Sequence, residues 1–184
     1  MRYAHRPRAG FTLVEILVVI IIIGVIVAVT TISVGVLGRD NQVEDQAKRI
    51  AALMTQAREE GDLQGRDIGI LVEPDAYEFL YYDQRKQVWT DPIDDDMLER
   101  RKLPEGLHFR LWLESKEIIL KAQAAQKDLS DEDLKKRGPQ ILLLASGDLS
   151  PFELQIQREG GDTKWHVISQ PDDTVAAGEV RDKK

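Results

Sequence analysis

The 184-residue sequence has no cysteine, which excludes a disulfide framework, a thiolate metal site and a cysteine nucleophile, though not an oxidising compartment. Charge is missing from one stretch: of 25 Lys and Arg and 32 Asp and Glu, only Glu15 falls within residues 11–38. Proline is absent from residues 11–60, so a long helix can run through them, with Gly24, Gly35 and Gly38 as its weak points. No GxSxG elbow, HExxH, P-loop or GxGxxG turn occurs. The histidines are His5 near the N-terminus and His108 and His166, which sit in alternating segments and suit outward strand positions better than a general base. Ser146-Gly147-Asp148 between two apolar runs is turn chemistry rather than a nucleophile site. No catalytic, metal or cofactor site is expected.

What is present begins with FTLVEILVVIIIIGVIVAV at residues 11–29, followed by moderately apolar sequence to Gly38. A core helix needs a polar side, and residues 16–29 offer only Gly24 as a non-hydrophobe. At about 1.5 Å per residue the 11–38 stretch is long enough as a helix to span a hydrocarbon layer of about 30 Å. Arg2, Arg6 and Arg8 precede it without an acidic residue, which holds the N-terminus in the cytoplasm and sends the rest across. The apolar run exceeds that of an ordinary secretory signal and no small-residue cleavage site follows it, so the segment stays attached.

Residues 40–60, DNQVEDQAKRIAALMTQAREE, carry Val43, Ala47, Ile50, Met54 and Ala57 on one helical stripe, with Glu44–Lys48 and Asp45–Arg49 as acid-before-base pairs on the wetter side. The helix is expected to pack this stripe on a domain and stop at Gly61 or Gly65. Beyond Gly65 the period becomes two. Ile68, Ile70 and Val72 and then Tyr77, Phe79 and Tyr81 flank a Pro74-Asp75 turn; Val88-Trp89 is a short strand; Leu107, Phe109, Leu111 and Leu113 share one side, with a return at 117–120. QILLLAS, the turn at Gly147-Asp148, FELQIQ, a Gly160-Gly161-Asp162 turn and KWHVIS complete about eight strands in a mostly antiparallel, sandwich-like domain. The fold class is α+β.

Two stretches break the pattern. Asp91, Asp94, Asp95 and Asp96 carry oxygens that calcium takes, but the glycine turn and terminal glutamate of an EF-hand loop are missing, so the segment is read as a solvated acidic loop. Residues 121–138 form a surface excursion between strands. Ser130 with Asp133 looks like a capping box there, and Gly138-Pro139 is the stop.

The string Gly10-Phe11-Thr12-Leu13-Val14-Glu15, between a basic leader and the apolar run, resembles the processing signal of type IV pilins and pseudopilins. The resemblance implies a leader of residues 1–10 cut after Gly10 and a new N-terminus, Phe11, whose amine is methylated. It further implies a membrane-spanning helix at 11–38 that continues amphipathically over 39–60, and a periplasmic β-rich domain at 66–184. Glu15 stands at the family's charged position and is expected to pair with the Phe11 amine of an adjoining subunit during filament assembly; the plainer role is a carboxylate that snorkels to the interface. PQILLLASGDLSPFELQIQ at 139–157 and Leu103-Pro104-Glu105-Gly106-Leu107 are similar to the H-type minor pseudopilin of type II secretion systems. That resemblance implies a pilin-like fold and a structural role at or near the tip of a periplasmic pseudopilus that helps export folded proteins across the outer membrane. The partners implied are the major and other minor pseudopilins, the prepilin peptidase/methyltransferase and the inner-membrane assembly platform. Two rivals stand beside this reading. A DNA-uptake minor pilin shares the leader and helix, but its Gly-Arg-x-Arg tail is here Gly178-Glu179-Val180-Arg181, and loss of Arg2, Arg6 and Arg8 takes the formal charge from −7 to −10, against phosphate binding. A membrane-anchored periplasmic hydrolase requires a pocket with a perturbed acid or base.

Overall fold

Residues 13–92, 98–122 and 138–180 are described by the computed structural model, with the side chains of 27–40 left aside. Helix α1 (Leu13–Gln64) comes first, and the chain divides into two units, Met1–Arg39 and Asp40–Lys184. The first unit holds the apolar part of α1. The second holds the rest of α1 and every strand.

In the second unit the expected stripe is the buried face: Val43, Ala47, Ile50, Met54 and Ala57 are each 1% exposed or less. Glu44 and Lys48 form their i, i+4 ion pair on the wet side. The helix passes through Gly61 and ends at Gly65, whose φ of 63° is the left-handed geometry that terminates helices. The N–H of Gly65 donates to the Asp62 carbonyl and that of Arg66 to the Gly61 carbonyl, which satisfies two carbonyls of the last turn.

The strands are β1 (Ile68–Val72), β2 (Ala76–Asp83), β3 (Val88–Thr90), β4 (Arg101–Lys102), β5 (Leu107–Leu113), β6 (Lys116–Ile118), β7 (Ile141–Leu143), β8 (Phe152–Arg158), β9 (Lys164–Ser169) and β10 (Val175–Glu179). One sheet has the order β3-β2-β1-β7, with β4 also on β2, and the other has the order β10-β9-β8-β5-β6. Adjacent strands in both are antiparallel. Ile70 lies opposite Phe79 and Leu111 opposite Leu154, so the alternating apolar residues of neighbouring strands face the same core. That core is one cluster containing the α1 stripe and the inner faces of both sheets, with Tyr77 set edge-on to Phe79 and Phe109.

The structure departs from the sequence reading in three ways. It contains β4 and β10 in addition to the eight expected strands. The turn at Ser146-Gly147-Asp148 is present, with Gly147 at φ 88°, but it passes the chain between sheets, since β7 pairs with β1 and β8 with β5 and β9. β1 and the first five residues of β2 are buried on both faces: Gly69, Leu71, Glu73, Glu78 and Leu80 are as covered as their core-facing neighbours. Gly69 is required there, because a Cβ would lie 2.2 Å from the Pro139 ring and 2.9 Å from Trp89. Gly10, Phe11 and Thr12, the middle of the acidic segment and most of the 121–138 excursion lie outside the described residues.

Candidate functional site

Leu13, Val14 and Glu15, the last three residues of the processing string, begin α1, with Glu15 in its first described turn. The large apolar residues from Ile16 to Ile26 are all exposed, between 43% and 61%. Helix side chains apolar on every side have no stable exposure to water, and they are reburied by lipid or by other helices. Among the described residues, whose side chains in this unit end at Ile26, no helix is long and apolar enough to cross a membrane.

The second unit has buried polar chemistry that no sequence spacing announced. Glu73, just past β1, accepts two hydrogen bonds from Arg100: 2.8 Å from Nη2 to Oε2 and 3.2 Å from Nε to Oε1. Glu73 is almost fully buried and Arg100 partly so; their hydrogen bond is the main cause that raises the Arg100 pKa above its usual value. Burial, opposed by the nearby Arg101 and Arg49 charges, pushes the Tyr77 phenol above 10.0. Arg158, at the end of β8, donates to Gln42 on α1 at 2.7 Å and to the Glu105 carbonyl at 3.1 Å, tying the helix to the β5 entry. Glu73 and Arg100 are 27 positions apart in sequence and Gln42 and Arg158 are 116 apart, so only the fold brings these pairs together.

Hydrolytic chemistry is not assembled by these residues. Ser146 Oγ donates to Asp148 within its exposed turn. His166 lies 3.1 Å from Glu153 and His108 2.7 Å from Gln157, both on the sheet face opposite the core. Among the described residues no group of three or more His, Asp and Glu could hold a metal ion. An open cleft of about 550 Å³ lies between the end of α1 and the β2–β3 hairpin, lined by Arg66, Tyr81, Asp83, Arg85 and Asp91 among others.

Residues 46–173 match the family model described as type II transport protein GspH. The chain belongs to this family. The GspH match spans the end of α1 from residue 46 and every strand except β10, and residues 5–31 separately match the prokaryotic N-terminal methylation motif. The GspH chain is 33% identical over 167 residues to type II secretion system protein H of Pseudomonas aeruginosa, covering 89% of this chain and 91% of the relative. It is 29% identical over 161 residues to the Aeromonas hydrophila protein of the same name, covering 88% and 86%. Its fold is that of pseudopilins. The crystal structure of the minor pseudopilin EpsH from the type II secretion system of Vibrio cholerae aligns with TM-score 0.62 at 23% identity, over 79% of this chain and 99% of that one. The solution structure of Escherichia coli GspH aligns with TM-score 0.54 at 19% identity, over 79% and 94%.

Proposed function

We propose that this GspH-family protein is a minor pseudopilin of a type II secretion system, a structural subunit at or near the tip of a periplasmic pseudopilus, and not an enzyme. The reading is carried by one observation: a single chain joins a methylation motif over 5–31 to a GspH domain over 46–173. Its exposed apolar helix residues support the role physically, because a helix of this kind leaves lipid only by packing against similar helices in a filament core.

In this mechanism Arg2, Arg6 and Arg8 hold the leader in the cytoplasm and residues 11–38 cross the inner membrane once. Prepilin peptidase recognises Gly10 to Glu15, cuts between Gly10 and Phe11, and methylates the Phe11 amine. Residues 39–60 continue the helix, and 66–184, with the excursion at 121–138, form the periplasmic domain. The assembly platform then brings the subunit to the major and other minor pseudopilins, where Glu15 pairs with the Phe11 amine of a neighbour. Mass spectrometry of the membrane-inserted protein tests the scheme. The expected chain begins at N-methylated Phe11; an intact Met1 in cells that possess the peptidase, or a cut after residue 28, refutes it.

A further inference from the structure

At the end of the second sheet where β5 turns into β6 lies a cavity of about 300 Å³, lined by Trp112, Glu114, Ser115, Pro151, Phe152 and Glu153. The register of the strands explains what meets there. Trp112 stands opposite Glu153 of β8 and Glu117 of β6, whereas its neighbour Leu113 stands opposite Phe152 and Lys116. Residues directly opposite one another share a face, so Trp112, Glu153 and Glu117 belong to the outer side of the sheet and Lys116 to the other. The two-residue turn supplies the rim: Glu114 at φ 48° and Ser115 at φ 66° both take the left-handed geometry that such a hairpin needs. Neither is a glycine, so a carboxylate stands at the mouth.

The charges round this cavity do not cancel. Glu117, the remaining outward carboxylate, is taken by Arg110 at 2.7 Å. Glu153 is steadied by His166 Nδ1 at 3.1 Å and by the Gln155 amide at 3.3 Å, both at Oε1. No ion pair among the described residues involves Glu114, and no Lys or Arg lines the cavity. The Trp112 indole adds a second element. The Arg110 guanidinium rests 4.9 Å from its ring centroid, so this ring already holds one cation by its π-system. Arg110 does not line the cavity, which therefore meets the indole away from that guanidinium. The larger cleft between the end of α1 and the β2–β3 hairpin lacks this bias, because Arg66 and Arg85 there balance Asp83 and Asp91.

We propose that this cavity is a binding site for an alkylammonium group, its alkyl stem lying against Trp112, Pro151 and Phe152 and its charged head held by the carboxylates of Glu114 and Glu153. An apolar stem with a cationic tip is the shape that such mixed walls fit, and an anion or a neutral apolar ligand would set two carboxylates against nothing. The volume lies at the low end of the range of about 300–1,000 Å³ for ligand pockets, which suits one side chain or a small amine rather than a larger cofactor. The same group is carried by a free small amine and by a lysine side chain of a protein partner. The site does not depend on the secretion role.

The tryptophans of the chain, Trp89, Trp112 and Trp165, make the test site-specific. Full-length protein with isotope-labelled tryptophan, in micelles of an uncharged detergent, is followed by the indole N–H signals in nuclear magnetic resonance, and the signal lost in Trp112→Phe is assigned to Trp112. Titration with Nα-acetyl-lysinamide at constant ionic strength is expected to move that signal saturably and leave Trp89 and Trp165 in place. The neutral Nε-acetylated analogue is expected to bind at least about tenfold more weakly, and Glu114→Gln to weaken the lysinamide about threefold with its thermal melt retained. n-Butylammonium separates the two sources: binding as tight as the lysinamide or tighter assigns the site to a free amine, and weaker binding assigns it to a lysine side chain. A Trp112 signal that moves with neither amine, equal binding of the neutral analogue, or an unchanged constant in folded Glu114→Gln overturns the proposal. If Glu114→Gln fails to fold, the comparison of charged with neutral lysinamide on the unmutated protein decides alone.

Discussion

Glu15 separates two physical pictures of one carboxylate. If it snorkels to the interface, Glu15→Ala is silent or slightly eases membrane insertion. If it pairs with the Phe11 amine of a neighbour, its removal leaves that amine buried and uncompensated, at a cost of about 3–5 kcal/mol. The expected outcome is normal insertion and cleavage with poor recruitment into pseudopilin complexes, read by membrane cross-linking and by secretion of a reporter. Wild-type values for both refute the pairing. Tyr77 offers a second test, of stability. Its pKa is raised on folding, so its contribution is whole below about pH 10 and is lost as pH rises through the folded value. Among the described residues its buried hydroxyl has no hydrogen-bond partner. Tyr77→Phe is therefore expected to gain about 1 kcal/mol at neutral pH and to lose less stability than wild type on moving to pH 11, measured by thermal melts at both values. A lower neutral melt shows instead that the hydroxyl is satisfied.

Gly69 bears on how the elements stack. Its strand reads as ordinary alternation, Ile68, Ile70 and Val72 inward, and the inward half is right. The other half is also covered, because Pro139 and Trp89 close on the back of β1. Gly69→Ala forces its methyl into Pro139 and is expected to cost about 1–3 kcal/mol, whereas Gly138→Ala, whose methyl would meet nothing within 4 Å among the described residues, is expected to be neutral; a pair of urea titrations compares them. The same contrast explains what sequence made legible. The α1 stripe and the period-two runs of β1, β2, β5, β8 and β9 declare themselves because one face carries the apolar residues. β10 does not, since Val-Ala-Ala-Gly has weak strand preference and gains its place from pairing with β9. β4 is two charged residues held by β2. The turn at Gly147 was readable, but no local signal tells a turn within a sheet from one between sheets.

At the scale of the molecule, the buried hydrophobic residues among those described lie between Val43 and Val167, within the second unit. A chain lacking residues 1–38 is expected to be soluble, with a β-rich circular-dichroism spectrum and a cooperative melt; a largely helical spectrum or a melt without a transition contradicts it. The candidate site was legible in another way: Gly10 to Glu15 is a local string that needs no fold to be read, whereas the Glu73–Arg100 and Arg158–Gln42 contacts exist only after folding.

The core cluster that joins Val43, Ala47, Ile50, Met54 and Ala57 to both sheets has a mechanical consequence. Tension applied to α1 at Asn41 acts along the length of the buried stripe, so the helix must slide across many side chains at once rather than peel away one contact at a time. Arg158 holding Gln42 meets the load first, and the stripe behind it shares the remainder. The helix thus serves the domain as a tendon rooted inside the bone, and its attachment yields only when the sandwich itself comes apart.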